Sequence, residues 1–223
     1  MARGSGTKGN QDPNILTAKQ RKSSSHQVKD YVLCHDCEQR FTKNGEDYVM
    51  RLVTKRDGRF PLLDALNEIP TPLKTPKSTG YTVAQTPAID REKIAYFALS
   101  IFWRASVHTW TQENGEKISI ELGKKYNDEI RRYLLGETAI PRHANLLVAV
   151  CTDEESQKTF FAPEENQKVK DRSFGVMVRG LFFMFRITRT PAPWQARISM
   201  VNTSRGLISV WNCLERGVWR LGD

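Results

Sequence analysis

Downstream of Asp90, apolar residues recur at 94, 97/98, 101/102, 105 and 108/110, the 3.6-residue period of a helix. Asp90 is a good N-cap for it. The apolar arc is wide, which predicts a helix near the centre of its domain. A polar turn, Gln112 to Lys117, precedes a second predicted helix, roughly 119–135. Its apolar residues are Leu122, Tyr126, Ile130, Tyr133 and Leu134, and Asp128–Arg132 is an i,i+4 acid–base pair in the favourable order. Gly136 suits the C′ position and Pro141 blocks continuation. Beyond Pro141 the pattern turns to strands. Leu146–Cys151 reads as a buried strand, and Phe174–Ile187 as a longer run with Gly175 and Gly180 as bends or a hairpin point. Ile198–Val201 and Leu207–Trp211 are expected to pair across a turn at Ser204-Arg205-Gly206.

Upstream of Asp90 the pattern is weaker. Residues 1–29 are polar, with a Ser23-Ser24-Ser25 run, and are expected to form a loose basic segment. Tyr31-Val32-Leu33 is a short β-prone run ending at Cys34, and Asn44-Gly45 reads as a turn. Glu46–Val53 fits a short helix. Residues 54–89 carry Pro61, Pro70, Pro72, Pro76 and Pro87, which leave room for one short helix, Leu62–Leu66. The predicted class is therefore α+β. A small knuckle-plus-helix N-terminal module (30–53) and a Pro-rich connector (54–89) lead into 90–223. That last region holds a central helical hairpin and a C-terminal antiparallel sheet.

Composition narrows the classes. A chain of 223 residues, 39% hydrophobic and 26% charged, excludes collagen-like, mucin-like and wholly disordered readings. The net charge of +9 is unevenly placed. Residues 1–29 hold six Lys/Arg and one acid, 170–223 hold nine and three, and the middle holds 19 and 21. The positive excess belongs to the two ends. If the ends converge in space, they form a basic surface suited to nucleic acid, with Lys19, Arg21, Lys22 and Lys29 as contacts. The longest apolar block, Ile94–Trp103, is about half of the roughly 20 residues a membrane span needs. Met1–Asn10 has no apolar core, so neither a membrane nor a secretory signal is expected. The expectation is a cytoplasmic chain with reduced cysteines.

The sharpest chemical signal is Cys34-x-x-Cys37. Two thiolates three residues apart on a tight knuckle can face one metal, and zinc favours such soft ligands. Cys34 and Cys37 are thus candidate zinc ligands, half of a four-ligand set. The alternative is a metal-free pair packed beside a helix. A thioredoxin-like redox pair is less favoured, because no βαβ pattern surrounds it. His26 and His35 are near enough in sequence to be considered as ligands. Cys151 and Cys213, in predicted strands, read as buried thiols. His108, beside Trp110, reads as a packing or capping residue, and His143 as a surface-loop residue. Asp128-Glu129 reads as part of a solvated ion-pair face with Arg131 and Arg132. Trp103 and Trp211 fit core positions, whereas Trp194 and Trp219 stand near Arg189, Arg197 and Arg220, where rings can stack bases or meet a protein. No H-E-x-x-H, Walker A, G-x-S-x-G or G-x-G-x-x-G motif occurs.

The stretch Gln27–Phe41, with Leu33-Cys34-His35-Asp36-Cys37-Glu38 at its centre and Asn44-Gly45-Glu46 after it, resembles a group of uncharacterised bacterial proteins with an HNH-like treble-clef knuckle. Phe97–Val107, the Leu122–Arg132 segment and Val178–Phe183 resemble the same group. Its members carry an upstream C-x-x-C and a Ser-His-Ile-Ile-Pro-like segment, whose His would correspond to that of HNH nucleases. Nothing upstream of Cys34 matches that half, and His26 lacks the apolar residues that should follow it. The group implies no established activity; with the upstream half unmatched and the charge at the two ends, the leading expectation is a non-catalytic or degenerate HNH-like protein that contacts nucleic acid through its basic termini. The alternatives are an HNH-type metal-dependent nuclease completed by a missing segment or partner, and a protein-interaction module using aromatics of the C-terminal sheet.

Overall fold

The computed structural model describes residues 14–16, 21–23, 33–54, 59–70, 72–84, 86–111, 115, 117–166, 172–188 and 197–212. Helix α4 (Arg91–Val107) lies at its centre. The Asp90 carboxylate accepts the Lys93 amide, as the sequence predicts. Seven consecutive residues of α4, Ile94–Ser100, are buried. Those on its sheet side meet one face of a large mixed sheet, with Phe97 against Phe183 and Phe102 against Phe185, ring centroids 5.9 and 5.5 Å apart.

Among the described residues that sheet has nine strands, in the order β2 (Arg21–Ser23), β1 (Asn14–Leu16), β8 (Thr159–Glu165), β9 (Arg172–Val178), β10 (Leu181–Ile187), β7 (Ala144–Cys151), β11 (Leu207–Trp211), β4 (Ser78–Thr82), β3 (Leu73–Thr75). Its middle is β7 (Ala144–Cys151), β10 (Leu181–Ile187) and β9 (Arg172–Val178), paired antiparallel along their full lengths. Arg179-Gly180 turns β9 into β10, so the hairpin point predicted at Gly180 is observed, with both residues at positive φ. The other predicted bend, Gly175, instead pairs in register with Met184 within β9, and the irregularity on its other side falls on β8 between Phe161 and Glu164. Alternation sorts the faces. Leu146, Val148, Val150, Phe174, Val176, Phe183 and Phe185 belong to the main core with α4. Ala149, Cys151, Phe161, Met177 and Phe182 form a smaller cluster on the other face.

The upstream half departs from expectation. Asn44-Gly45 is no turn: α1 (His35–Phe41), a π-helical turn (Thr42–Glu46) and α2 (Asp47–Val53) run on as one helical stretch. Gly45 allows it, because its backbone sits directly against α4 (a Cβ there would stand 2.9 Å from the Phe97 amide nitrogen). In the Pro-rich stretch the predicted short helix is observed as α3 (Pro61–Asn67), with proline at the helix start where its missing N–H costs nothing, and the stretch adds the hairpin β3 (Leu73–Thr75)–β4 (Ser78–Thr82), which the sequence does not predict. β4 pairs with β11 (Leu207–Trp211), and one core cluster runs from Phe41 through Leu62 and Tyr81 to Val210. Two three-residue strands, β1 (Asn14–Leu16) and β2 (Arg21–Ser23), come from the segment expected to be loose. β1 pairs parallel with β8 (Thr159–Glu165).

Downstream, the second helix starts later than predicted. α5 spans Lys124–Leu134, because Gly123 at φ +83 breaks the helix before it. Its end follows the prediction: Gly136 is at φ +78, with Gly136 N–H donating to Tyr133 O and Glu137 N–H to Arg132 O, a Schellman closure. The predicted Asp128–Arg132 pair is replaced by Asp128–Arg131 at 2.9 Å, while Arg132 turns to Glu137. A small hairpin, β5 (Trp110–Thr111) and β6 (Lys117–Ile118), joins α4 to α5. Residues 198–201 form no strand. The Met200 amide and the Ser199 hydroxyl bind the Leu146 backbone, and β11 pairs parallel with β7 instead. The C-terminal sheet is therefore mixed, not purely antiparallel.

Candidate functional site

Cys34 and Cys37 open the long helical stretch. Cys34 is the N-cap in extended conformation, and its carbonyl accepts the Glu38 amide at 3.0 Å. Cys37 lies in the first turn. The predicted knuckle is thus a helix start. Both are free thiols, Cys34 exposed and Cys37 half-buried. The Cys34 side chain makes no strict capping bond. The Cys37 amide and thiol, and then the Asp36 amide, still lie close enough to hold its pKa below the ordinary thiol value. Cys37 moves the other way, raised first by the Cys34 thiol and then by burial, with Arg40 opposing.

The helix beneath them is anchored firmly. Arg40 Nη1 donates to Leu135 O at 2.6 Å at the end of α5. Phe41 stands edge-on to Tyr96 and Trp103, at 5.9 and 6.2 Å, with the Arg104 guanidinium 5.7 Å from its ring centre. Tyr96 Oη donates to Leu134 O. Arg104 is largely enclosed, and burial lowers its pKa against the pull of Glu46 and Glu38.

A tetrahedral zinc site requires four donors. The described residues supply two. Among them no group of three or more His, Cys, Asp or Glu side chains is arranged to hold a metal ion. His35 bonds Gln39 at 2.8 Å, and His26 lies outside the described residues. The donor set is half of a site.

Of the residues expected to contact nucleic acid, Lys19 and Lys29 lie outside the described residues. Arg21 and Lys22 fall on β2, at the edge of the sheet. Lys22 pairs with Ile15, and Ile15 with Phe160. Over the Phe160 ring, at 5.7 Å, lies the guanidinium of Arg179. A basic position from the N-terminal segment thus stands two strands from the ring that a C-terminal arginine covers. Not all C-terminal arginines are available. Arg172 donates to the carbonyls of Leu122 and Glu121 and pairs with Glu165, which makes it structural. Arg189, Trp194, Cys213, Trp219 and Arg220 lie outside the described residues.

Three further residues singled out in the sequence are placed by the structure. Cys151 is disulfide-bonded, so the buried free thiol expected there is not observed. His108 is the C-cap of α4 and packs on Trp110 at 4.9 Å, as a capping residue should. His143 lies in the turn before β7, the predicted loop, but it is half-buried and partnered: its Nε2 lies 2.7 Å from Glu129 Oε2 and its ring meets Tyr126 at 4.6 Å. Neither partner was legible, because a loop and a helix that meet only in the folded state share no sequence spacing. Burial lowers the His143 pKa and outweighs Glu129, which raises it, while Lys125 adds to the lowering. The folded state therefore binds fewer protons here than the unfolded one. Stability from this site is full above the ordinary histidine value and falls as pH drops through it. Between about pH 7.5 and 5.5, thermal unfolding midpoints are expected to decline, and His143→Gln to flatten that decline. Equal slopes for both proteins would remove His143 as the cause.

Compared with protein-family models, curated proteins and solved structures, the chain matches none of them. No described helix is long and apolar enough to cross a membrane.

Proposed function

We propose that this protein contacts nucleic acid through the basic edge formed by the β1–β2 hairpin and the neighbouring end of β8 and β9. The observation that carries this reading is the row Lys22–Ile15–Phe160, with Arg179 over the last ring. The positive charge of the chain belongs to its two ends, and only a fold that brings those ends together makes one polyanion surface of them. Contact is electrostatic and backbone-directed, since phosphates position a protein without specifying sequence.

The test is fluorescence anisotropy with a labelled duplex across a salt series. Affinity is expected to fall steeply with salt, the log–log slope counting about 0.9 per phosphate neutralised. The double charge reversal Arg21→Glu/Lys22→Glu is expected to weaken binding by at least about tenfold and to flatten the slope by about two phosphates. Lys74→Glu/Lys77→Glu, on the hairpin at the opposite edge, serves as control and is expected to leave affinity within about twofold. No measurable binding, or an equal loss in both double variants, would defeat the reading.

A further inference from the structure

We infer that Cys34 and Cys37 form a working dithiol that closes to a disulfide by exchange with a low-molecular-weight disulfide. This goes beyond the nucleic-acid reading and does not depend on it. Two geometric observations carry the inference. Cys34 stands at the N-cap, extended (φ −73°, ψ 161°) and exposed, so its side chain can turn while its carbonyl keeps the Glu38 amide. Cys37 stands inside the first turn of a helix pinned by Arg40 to α5 and by Phe41 to α4. Cysteines three apart around a helix start are one turn from each other, a separation a disulfide can bridge. The movement falls on the exposed Cys34 side chain, whose carbonyl keeps its bond from the Glu38 amide.

The fixed and free members imply an order of events. The exposed Cys34 sulfur attacks one sulfur of the external disulfide. That S–S bond breaks, and the departing thiolate takes the proton that Cys34 gives up. Cys37 then attacks the Cys34 sulfur of the mixed disulfide. The second external thiol leaves with the Cys37 proton, and the Cys34–Cys37 bond is complete. Two protein thiols are oxidised and one external disulfide is reduced to two thiols, so electrons balance with no other reactant. The same helix start that offers half of a metal site is, in these positions, a complete exchange site.

The purified full chain treated with oxidised glutathione tests this, by free-thiol counting and intact mass. The wild type is expected to lose both free thiols and to retain no glutathione. Cys37→Ser is expected to trap one glutathionyl group on Cys34. Cys34→Ser is expected to react at least about tenfold more slowly, with circular dichroism confirming that both variants fold. A stable glutathione adduct on the wild type would overturn the inference, because Cys37 would then not resolve. Loss of no thiols would overturn it as well. So would stoichiometric zinc on the isolated protein that blocks exchange until chelated, since the pair would then be a ligand set.

Discussion

Replacing Phe102 by alanine is expected to remove about 3–5 kcal/mol of stability, a large fraction of the 5–15 kcal/mol typical of a whole domain. Phe102 is fully buried on α4. Its ring meets Phe185 of β10 at 5.5 Å, and Phe185 stacks in turn on Phe174 of β9 at 6.3 Å. The three rings join the central helix to the two central strands of the sheet. Removing the first leaves a cavity under residues whose backbones are held by full antiparallel ladders and so cannot collapse into it. Phe102→Leu keeps most of the volume and is expected to lose less than half as much. Urea unfolding measures both, and an unchanged m-value would show that the loss is stability and not a change in the surface exposed. A loss below about 1 kcal/mol for the alanine variant would mean that α4 is not the core of this fold.

That helix is also where the sequence was most legible. Asp90 caps it, and the periodic positions 94, 97/98, 101/102 and 105 name most of its buried residues. Gly136 and Gly180 were legible for a similar reason, since each needs a positive φ and each stands beside a clear element. The misses share a physical cause. β1, β2 and β3 are three residues long and are held by backbone pairing to distant strands, so their own side chains carry little pattern. The apolar run 198–201 read as a strand, yet its buried residues fill a loop clamped to Leu146. At the candidate site the Cys34-x-x-Cys37 spacing was plain, but its surroundings were not. Whether such a pair sits on a knuckle or opens a helix depends on the residues downstream of it. Here those residues include Asn44-Gly45, which resembles a turn.

Gly45 is the residue on which that difference rests, and Gly45→Ala is expected to destabilise the protein by about 1–3 kcal/mol. The sign is not obvious, because alanine in a helix is intrinsically favoured over glycine by about 1 kcal/mol. The added Cβ, however, would stand 2.9 Å from the Phe97 amide nitrogen and 3.0 Å from the Lys93 carbonyl oxygen. Both are backbone atoms of α4, the most buried helix of the described fold, and neither can swing aside as a side chain would. The π-helical turn must therefore back away from α4, and the packing loss exceeds the propensity gain. Lys43→Ala, exposed on the same turn, is the control and is expected to change stability by less than about 0.5 kcal/mol. The effect extends to the thiols. Backing the helix off α4 slackens the Phe41 contacts that, together with the Arg40–Leu135 bond, hold Cys37 in place. In Gly45→Ala, maleimide labelling of Cys37 is accordingly expected to speed up more than that of Cys34, which is already exposed. A Gly45→Ala protein more stable than the wild type, with unaltered Cys37 labelling, would show that the helix does not depend on this close approach. Both measurements bear on one claim: the glycine that resembles a turn in sequence is what lets the Cys34–Cys37 helix lie against the core.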